Sequence, residues 1–163
     1  MDTMTHKLLQ LKPKIALYQP DIPQNTAAII RLCSCFDTTL EIIEPCGFRL
    51  NDKRLKRVVM DYLDKDKITI YESYKEFLIK KKNSRIILMT TKAKNNYFNF
   101  KFSPKDTILF GRESAGVPKI VHRNSYARLK IPLKKKARSL NISIAAAITL
   151  SEALKQNKFF QND

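Results

Sequence analysis

The chain has 163 residues, 44% of them hydrophobic, and its 31 Lys and Arg against 15 Asp and Glu leave a formal charge of +16. This is the size of one domain with a packed core, and no window has the long uncharged apolar run that a membrane span needs. The charge excess costs stability through self-repulsion that a polyanion partner would relieve; RNA or DNA is the first candidate, and a generally lysine-rich surface is the alternative.

The first thirteen residues, Met1 to Pro13, lack an apolar stretch and a small-residue cleavage site, and read as a frayed extension, not a signal peptide. Lys14 to Tyr18 reads as a strand ended by Pro20. The PDIPQN segment is turn chemistry leading into a helix that runs to about Cys35, with Asn25 or Thr26 as its expected N-cap. Leu40 to Ile43 is a second strand, closed by Pro45 and Gly47. Asp52 to Tyr62 looks helical, with Lys53, Arg54, Lys56 and Arg57 crowding its first turns. A strand near Ile68 to Tyr71 and a helix over Tyr74 to Lys82 follow. Arg85 to Thr90 and Thr107 to Phe110 are buried strands. A short helix over Pro118 to Arg123, a strand over Ala127 to Ile131 and a long helix over Asn141 to Gln156 complete the set. Short apolar strands alternating with helices predict an α/β fold, a single-domain parallel sheet covered on both faces, spanning 14–156 with a short tail over 157–163.

The last helix is apolar or small at nearly every position from Ile142 to Leu154. A helix apolar all round is buried on several sides; a core helix in a monomer and a helix partly covered by a second subunit both satisfy this, and the run of small alanines favours the second. Cys33, Cys35 and Cys46 form no CxxC pair, and the two histidines lie far from them in sequence, so no metal site is expected and the thiols read as free.

Two of the three glycines fall in Gly111-Arg112-Glu113-Ser114-Ala115-Gly116, directly after a strand. Ligands in open α/β sheets bind beyond the carboxyl ends of strands, so this loop is either a binding loop or an ordinary turn. Neither GxGxxG nor GxxxxGK[ST] is present, which argues against a Rossmann cofactor site or a P-loop. Lys134, Lys135, Lys136 and Arg138 make a positive loop before Ser139 and Asn141, two candidate caps for the last helix. Arg31 has only small residues three and four positions away (Ala27, Ala28, Ser34 and Cys35), which leaves room beside its guanidinium.

In this order, PDIPQNTAAIIRLC, IIEPCGF with DKRLKR, LFGRESAGVP and IPLKKKARSLNISIAAA resemble the SPOUT superfamily. The resemblance is specifically to TrmL-like tRNA (cytidine/uridine-2′-O-)-methyltransferases, which modify the wobble nucleotide. It covers about Lys14 to Gln156 and implies a C-terminal trefoil knot, an obligate homodimer and S-adenosyl-L-methionine bound in the knot, in a cytoplasmic enzyme acting on tRNA. It also places Met89, Gly111, Glu113, Gly116, Ile131, Leu133, Ser139 and Leu140 around the cofactor, and gives catalysis to Arg31 with Asn25 and Asn141 in support. Lys53, Arg54, Arg57, Lys134, Lys135 and Lys136 are the expected phosphate contacts. Two departures stand out. Ala27 and Ala28 replace the Gly-Asn of the family's Asn-Thr-Gly-Asn, and Ile144 replaces a second asparagine. The competing classes are a knotted RNA-binding protein without turnover and a ribosomal-RNA methyltransferase.

Overall fold

The computed structural model describes residues 11–51, 53, 55, 57 and 67–160. Most of the helix expected over 52–62, Arg54 included, lies outside these residues.

Among the described residues seven strands form one parallel sheet: β1 (Lys14–Tyr18), β2 (Leu40–Ile43), β3 (Ile68–Tyr71), β4 (Ile86–Met89), β5 (Asn95–Asn96), β6 (Thr107–Phe110) and β7 (Ala127–Lys130). Their order is β3-β2-β1-β6-β4-β7-β5, with every pairing parallel. Helices α1 (Pro23–Cys35), α2 (Tyr74–Lys80), α3 (Lys119–Asn124) and α4 (Ile142–Gln156) flank it.

Strand side chains alternate between two cores, as the period of two requires. Ile15, Leu17, Ile87, Met89, Ile108 and Phe110 face α1 and α4, where they meet Ile29, Ile30, Ala146 and Leu150. Ala16, Tyr18, Ile86, Leu88 and Leu109 face the other way, onto Phe77 of α2 and Val121 of α3. Burying both faces explains why the central strands are continuous apolar runs and not alternating ones.

Helix α1 starts earlier than the Asn25 or Thr26 cap predicts. Its N-cap is Ile22, without a side-chain hydrogen bond, and Pro23 opens the first turn. Proline suits that place because it has no N–H to leave unpaired and its φ is already helical. Asn25 is thereby released from capping and moved into the first turn. Helix α4 begins as expected: Asn141 is its N-cap, with Oδ1 accepting from Ser143 N at 2.9 Å. Its buried residues, Ala146, Thr149, Leu150, Ala153 and Leu154, form one stripe. Thr149 bonds its own helix, with Oγ1 donating to the Ala145 carbonyl at 2.8 Å. The opposite face carries Ile144, 51% exposed, and the half-buried Ala147 and Ile148, so one chain covers only part of this apolar helix. Beyond α4 the packing continues: Phe159 joins the core and Phe160 sits edge-on to Phe36.

At the amino ends of β4 and β6, Arg85 clamps the buried Asp106 through two bonds, Nε to Oδ1 and Nη2 to Oδ2, both 2.7 Å. This clamp, charge-assisted and bidentate, fixes the end of the sheet remote from the site described next.

Candidate functional site

The carboxyl ends of β6, β4 and β7, three adjacent strands, open into a cavity of about 590 Å³. Three loops wall it: 90–92 after β4, 111–117 after β6 and 131–141 after β7, with the first turns of α1 and α4 completing the rim.

The middle loop is held shut by reciprocal backbone bonds, Arg112 N to Gly116 O at 3.0 Å and Gly116 N to Arg112 O at 2.9 Å. Its two glycines are required by that shape. Gly116 has φ +65°, a conformation side chains disfavour. A Cβ on Gly111 would lie 2.8 and 2.9 Å from the Gly116 backbone and 2.9 Å from Val117 Cγ1.

Asp21 ties this loop to the start of α1. Its carboxylate accepts from Glu113 N at 3.2 Å and from the Ser114 hydroxyl, and lies 3.6 Å from Arg112 Nε. In return Asp21 N donates to Glu113 Oε2 at 3.1 Å. A third segment presses on the same residue, since a Cβ on Gly47 would stand 2.7 Å from Asp21 Cβ. The hydrogen bond shared with the Glu113 carboxyl, then those from Ser114 and the Glu113 amide, hold Asp21 down at about 2. Burial, and then the same neighbour, push Glu113 above the usual carboxylate range. Of two adjacent carboxyls, Asp21 thus carries the charge more readily.

From Glu113 a polar chain crosses the cavity rim. Asn25 Nδ2 donates to Glu113 Oε1 at 3.2 Å, Asn141 Nδ2 donates to Asn25 Oδ1 at 2.9 Å, and Asn141 Oδ1 caps α4. Its direction is set at both ends, by the Glu113 oxygen that accepts from Asn25 and by a backbone N–H that only donates. Three segments far apart in sequence are thereby locked into one geometry.

Asn25, Met89, Gly111, Glu113, Gly116, Ile131, Leu133, Ser139, Leu140 and Asn141 all line this cavity. Arg31 does not: it is exposed on α1, about 9 Å along the helix axis from Asn25 at 1.5 Å per residue. Lys134, Lys135 and Lys136 are exposed beside the cavity, and Lys53 and Arg57 are exposed elsewhere. Sequence reasoning missed Asp21, which looked like part of a turn because its partners lie 92 and 93 residues away. It also missed Lys92, His122, Lys130 and Arg138 as lining residues, which only the convergence of the loops brings together. Among the described residues no group of His, Cys, Asp and Glu could hold a metal ion, and no helix is long and apolar enough to cross a membrane. Burial pushes the thiols of Cys33 up to about 12 and Cys46 up to about 11, which leaves both protonated and unreactive.

Residues 12–151 match the profile of the SpoU rRNA Methylase family. The chain is 46% identical over 144 residues to a tRNA (cytidine(34)-2'-O)-methyltransferase of Beijerinckia indica, covering 87% of this chain and 90% of that protein. A solved structure described as giving insights into the 2-OH methylation of C/U34 on tRNA superposes with a TM-score of 0.85 at 31% identity, over 90% of this chain and 97% of that one. An AdoMet-bound rRNA methyltransferase from Sinorhizobium meliloti shares the fold, with a TM-score of 0.80 at 22% identity over 88% of this chain and 56% of that one.

Proposed function

The chain belongs to the SpoU rRNA methylase family, and from that premise we propose that it transfers a methyl group from S-adenosyl-L-methionine to the ribose 2′-oxygen of the wobble cytidine or uridine of tRNA. The observation that carries this reading is the cavity beyond β6, β4 and β7, where three loops and the Glu113–Asn25–Asn141 chain converge. Similarity to the tRNA (cytidine(34)-2'-O)-methyltransferase over 87% of the chain supports the choice of substrate.

The cavity suits the cofactor. Its volume of about 590 Å³ is that of a small-molecule site. Met89, Ile131, Leu133, Leu140 and Ala145 give apolar walls for an adenine, and the glycine-built loop brings backbone close to a ligand. When bound, S-adenosyl-L-methionine supplies a methyl group activated on a sulfonium. The work of the chain is then to position and to stabilise. Asn25, Glu113 and Asn141 fix the three loops relative to one another, which lowers the entropic part of the barrier. Arg31 stabilises the negative charge that develops on the 2′-oxygen. A guanidinium keeps its proton, so it acts through its charge and its donors and not as a base.

In this reading the C-terminal segment is threaded as a trefoil knot and the enzyme is a cytoplasmic homodimer. The outer faces of α1, where Ala28 is exposed, and of α4, where Ile144 is 51% exposed, support a second copy there. Docking of that copy would bring Arg31, which lies off the cavity in one chain, toward a site. Lys53, Arg54, Arg57, Lys134, Lys135 and Lys136 serve as tRNA phosphate contacts. The test is transfer of labelled methyl to tRNA by wild type and Arg31→Lys. The lysine keeps the charge and loses the forked donors, so turnover falls steeply; near-normal turnover removes Arg31 from catalysis.

A further inference from the structure

Beside the cofactor cavity lies a second depression, of about 460 Å³. The first half of β7 forms its floor, and the segment from Lys92 to Asn95 and the end of α3 form its walls. Lys92 and His122 line both cavities, so the two are neighbours that share a wall.

The lining of this groove holds Lys92, Lys94, Arg128 and His122 and no carboxylate. Lys92, Lys94 and Arg128 are exposed, and among the described residues no acid lies within ion-pair distance of them. His122 is pushed below the ordinary imidazole value by burial and then by Lys92 and Arg128, so the positive potential is already felt inside the groove. At the rim Tyr126 is 65% exposed, with the Arg85 guanidinium 4.9 Å from its ring centroid. Asp106 already pairs with Arg85, whereas among the described residues no carboxylate answers the charge of Lys92, Lys94 and Arg128. A concave surface whose charged lining residues are all cations repels itself until an anion fills it. Phosphate is the chemistry that fits. A groove this large, next to the cavity and edged by an aromatic ring, fits a strand better than a single ion.

We propose that this groove holds the single-stranded RNA next to the methylated nucleotide, with Lys94 and Arg128 paired to backbone phosphates. The identity of the strand as tRNA, and its place next to the methylated nucleotide, rest on the methyltransferase reading above; the cationic groove itself does not.

The test is the double variant Lys94→Gln, Arg128→Gln, with Lys92 kept because it also walls the cofactor cavity. Affinities for tRNA and for an unrelated single-stranded oligoribonucleotide are measured between about 50 and about 200 mM salt. Two lost single-strand contacts lower the log–log salt slope by about 1.4, so over that range wild type loses about sevenfold more affinity than the variant, while affinity for S-adenosyl-L-methionine is unchanged. An unchanged slope, or a parallel loss of cofactor affinity, overturns the proposal. A slope change for the oligoribonucleotide without methylation of any tRNA keeps the groove and rejects the tRNA reading. The second arm adds inorganic phosphate alone and follows the imidazole signals of His122 by NMR. Saturable binding of phosphate together with an unchanged RNA slope assigns the groove to a small anion and overturns the proposal.

Discussion

Replacing Asn25 with alanine isolates the polar chain that joins the three cavity segments. The substitution removes two hydrogen bonds, one to the Glu113 carboxylate at 3.2 Å and one from the Asn141 amide at 2.9 Å. A bond to a charged group contributes about 1.5–3 kcal/mol and a neutral one about 0.5–1.5 kcal/mol. Asn25 is only half-buried and Asn141 is exposed, so water replaces part of both; about 2 kcal/mol is the expected loss. If positioning of the loops is what these bonds supply, kcat/KM for tRNA methylation falls about 30-fold. Folding suffers less, because alanine is the better helix former in the first turn of α1 by about 0.5 kcal/mol. Methyl-transfer kinetics and thermal melting of the same preparations separate the two effects. Asn25→Asp is the control. It keeps an acceptor for Asn141 but sets a second carboxylate against Glu113, so it loses activity at neutral pH and regains part of it as the pH falls. Activity of Asn25→Ala within about twofold of wild type, with the fold intact, would refute the reasoning.

Three further outcomes follow from the geometry. Gly111→Ala drives a Cβ to within 2.9 Å of the Gly116 backbone, so the loop must shift; calorimetry shows S-adenosyl-L-methionine binding weakened by about tenfold or more, and unaltered affinity contradicts the role given to that loop. Arg85→Met leaves Asp106 buried without its cation, which costs about 3 kcal/mol and lowers the melting temperature by about 6–12 °C. Adding Asp106→Leu to that variant restores most of the loss, and a single variant that melts like wild type argues against the clamp. Asp21 is held at about 2, below its ordinary 3.8, so its contribution to stability is complete above the ordinary value and is lost as pH falls through about 2. Acid unfolding curves of wild type and Asp21→Asn therefore converge at low pH, whereas a constant offset between them would mean that Asp21 is not tied as described.

β1, β2, β3, β4 and β6 were legible because each is a largely apolar run of four or five residues bounded by a proline, a glycine or charges, and the parallel sheet followed from their continuity. β5 was not, because Asn95 and Asn96 carry no apolar signal and are a strand only by pairing with Leu129 and Lys130 of β7. The start of α1 was misplaced because Asn25 and Thr26 have the chemistry of a cap, yet Pro23 already satisfies the first turn and Asn25 has other partners. The grouping of the ten lining residues came from family resemblance and not from periodicity, since no local pattern reports that residues 25, 113 and 141 meet. Asp21 was invisible for the same reason. So was the cationic groove, whose residues come from the segment before β5, from α3 and from β7.

The most direct test of the central claim is nucleoside analysis of tRNA before and after incubation with the purified protein and S-adenosyl-L-methionine. The expected product is 2′-O-methylcytidine or 2′-O-methyluridine, mapped to the wobble position. A methyl group on a base, or no methylated nucleoside in tRNA that the protein demonstrably binds, would contradict it.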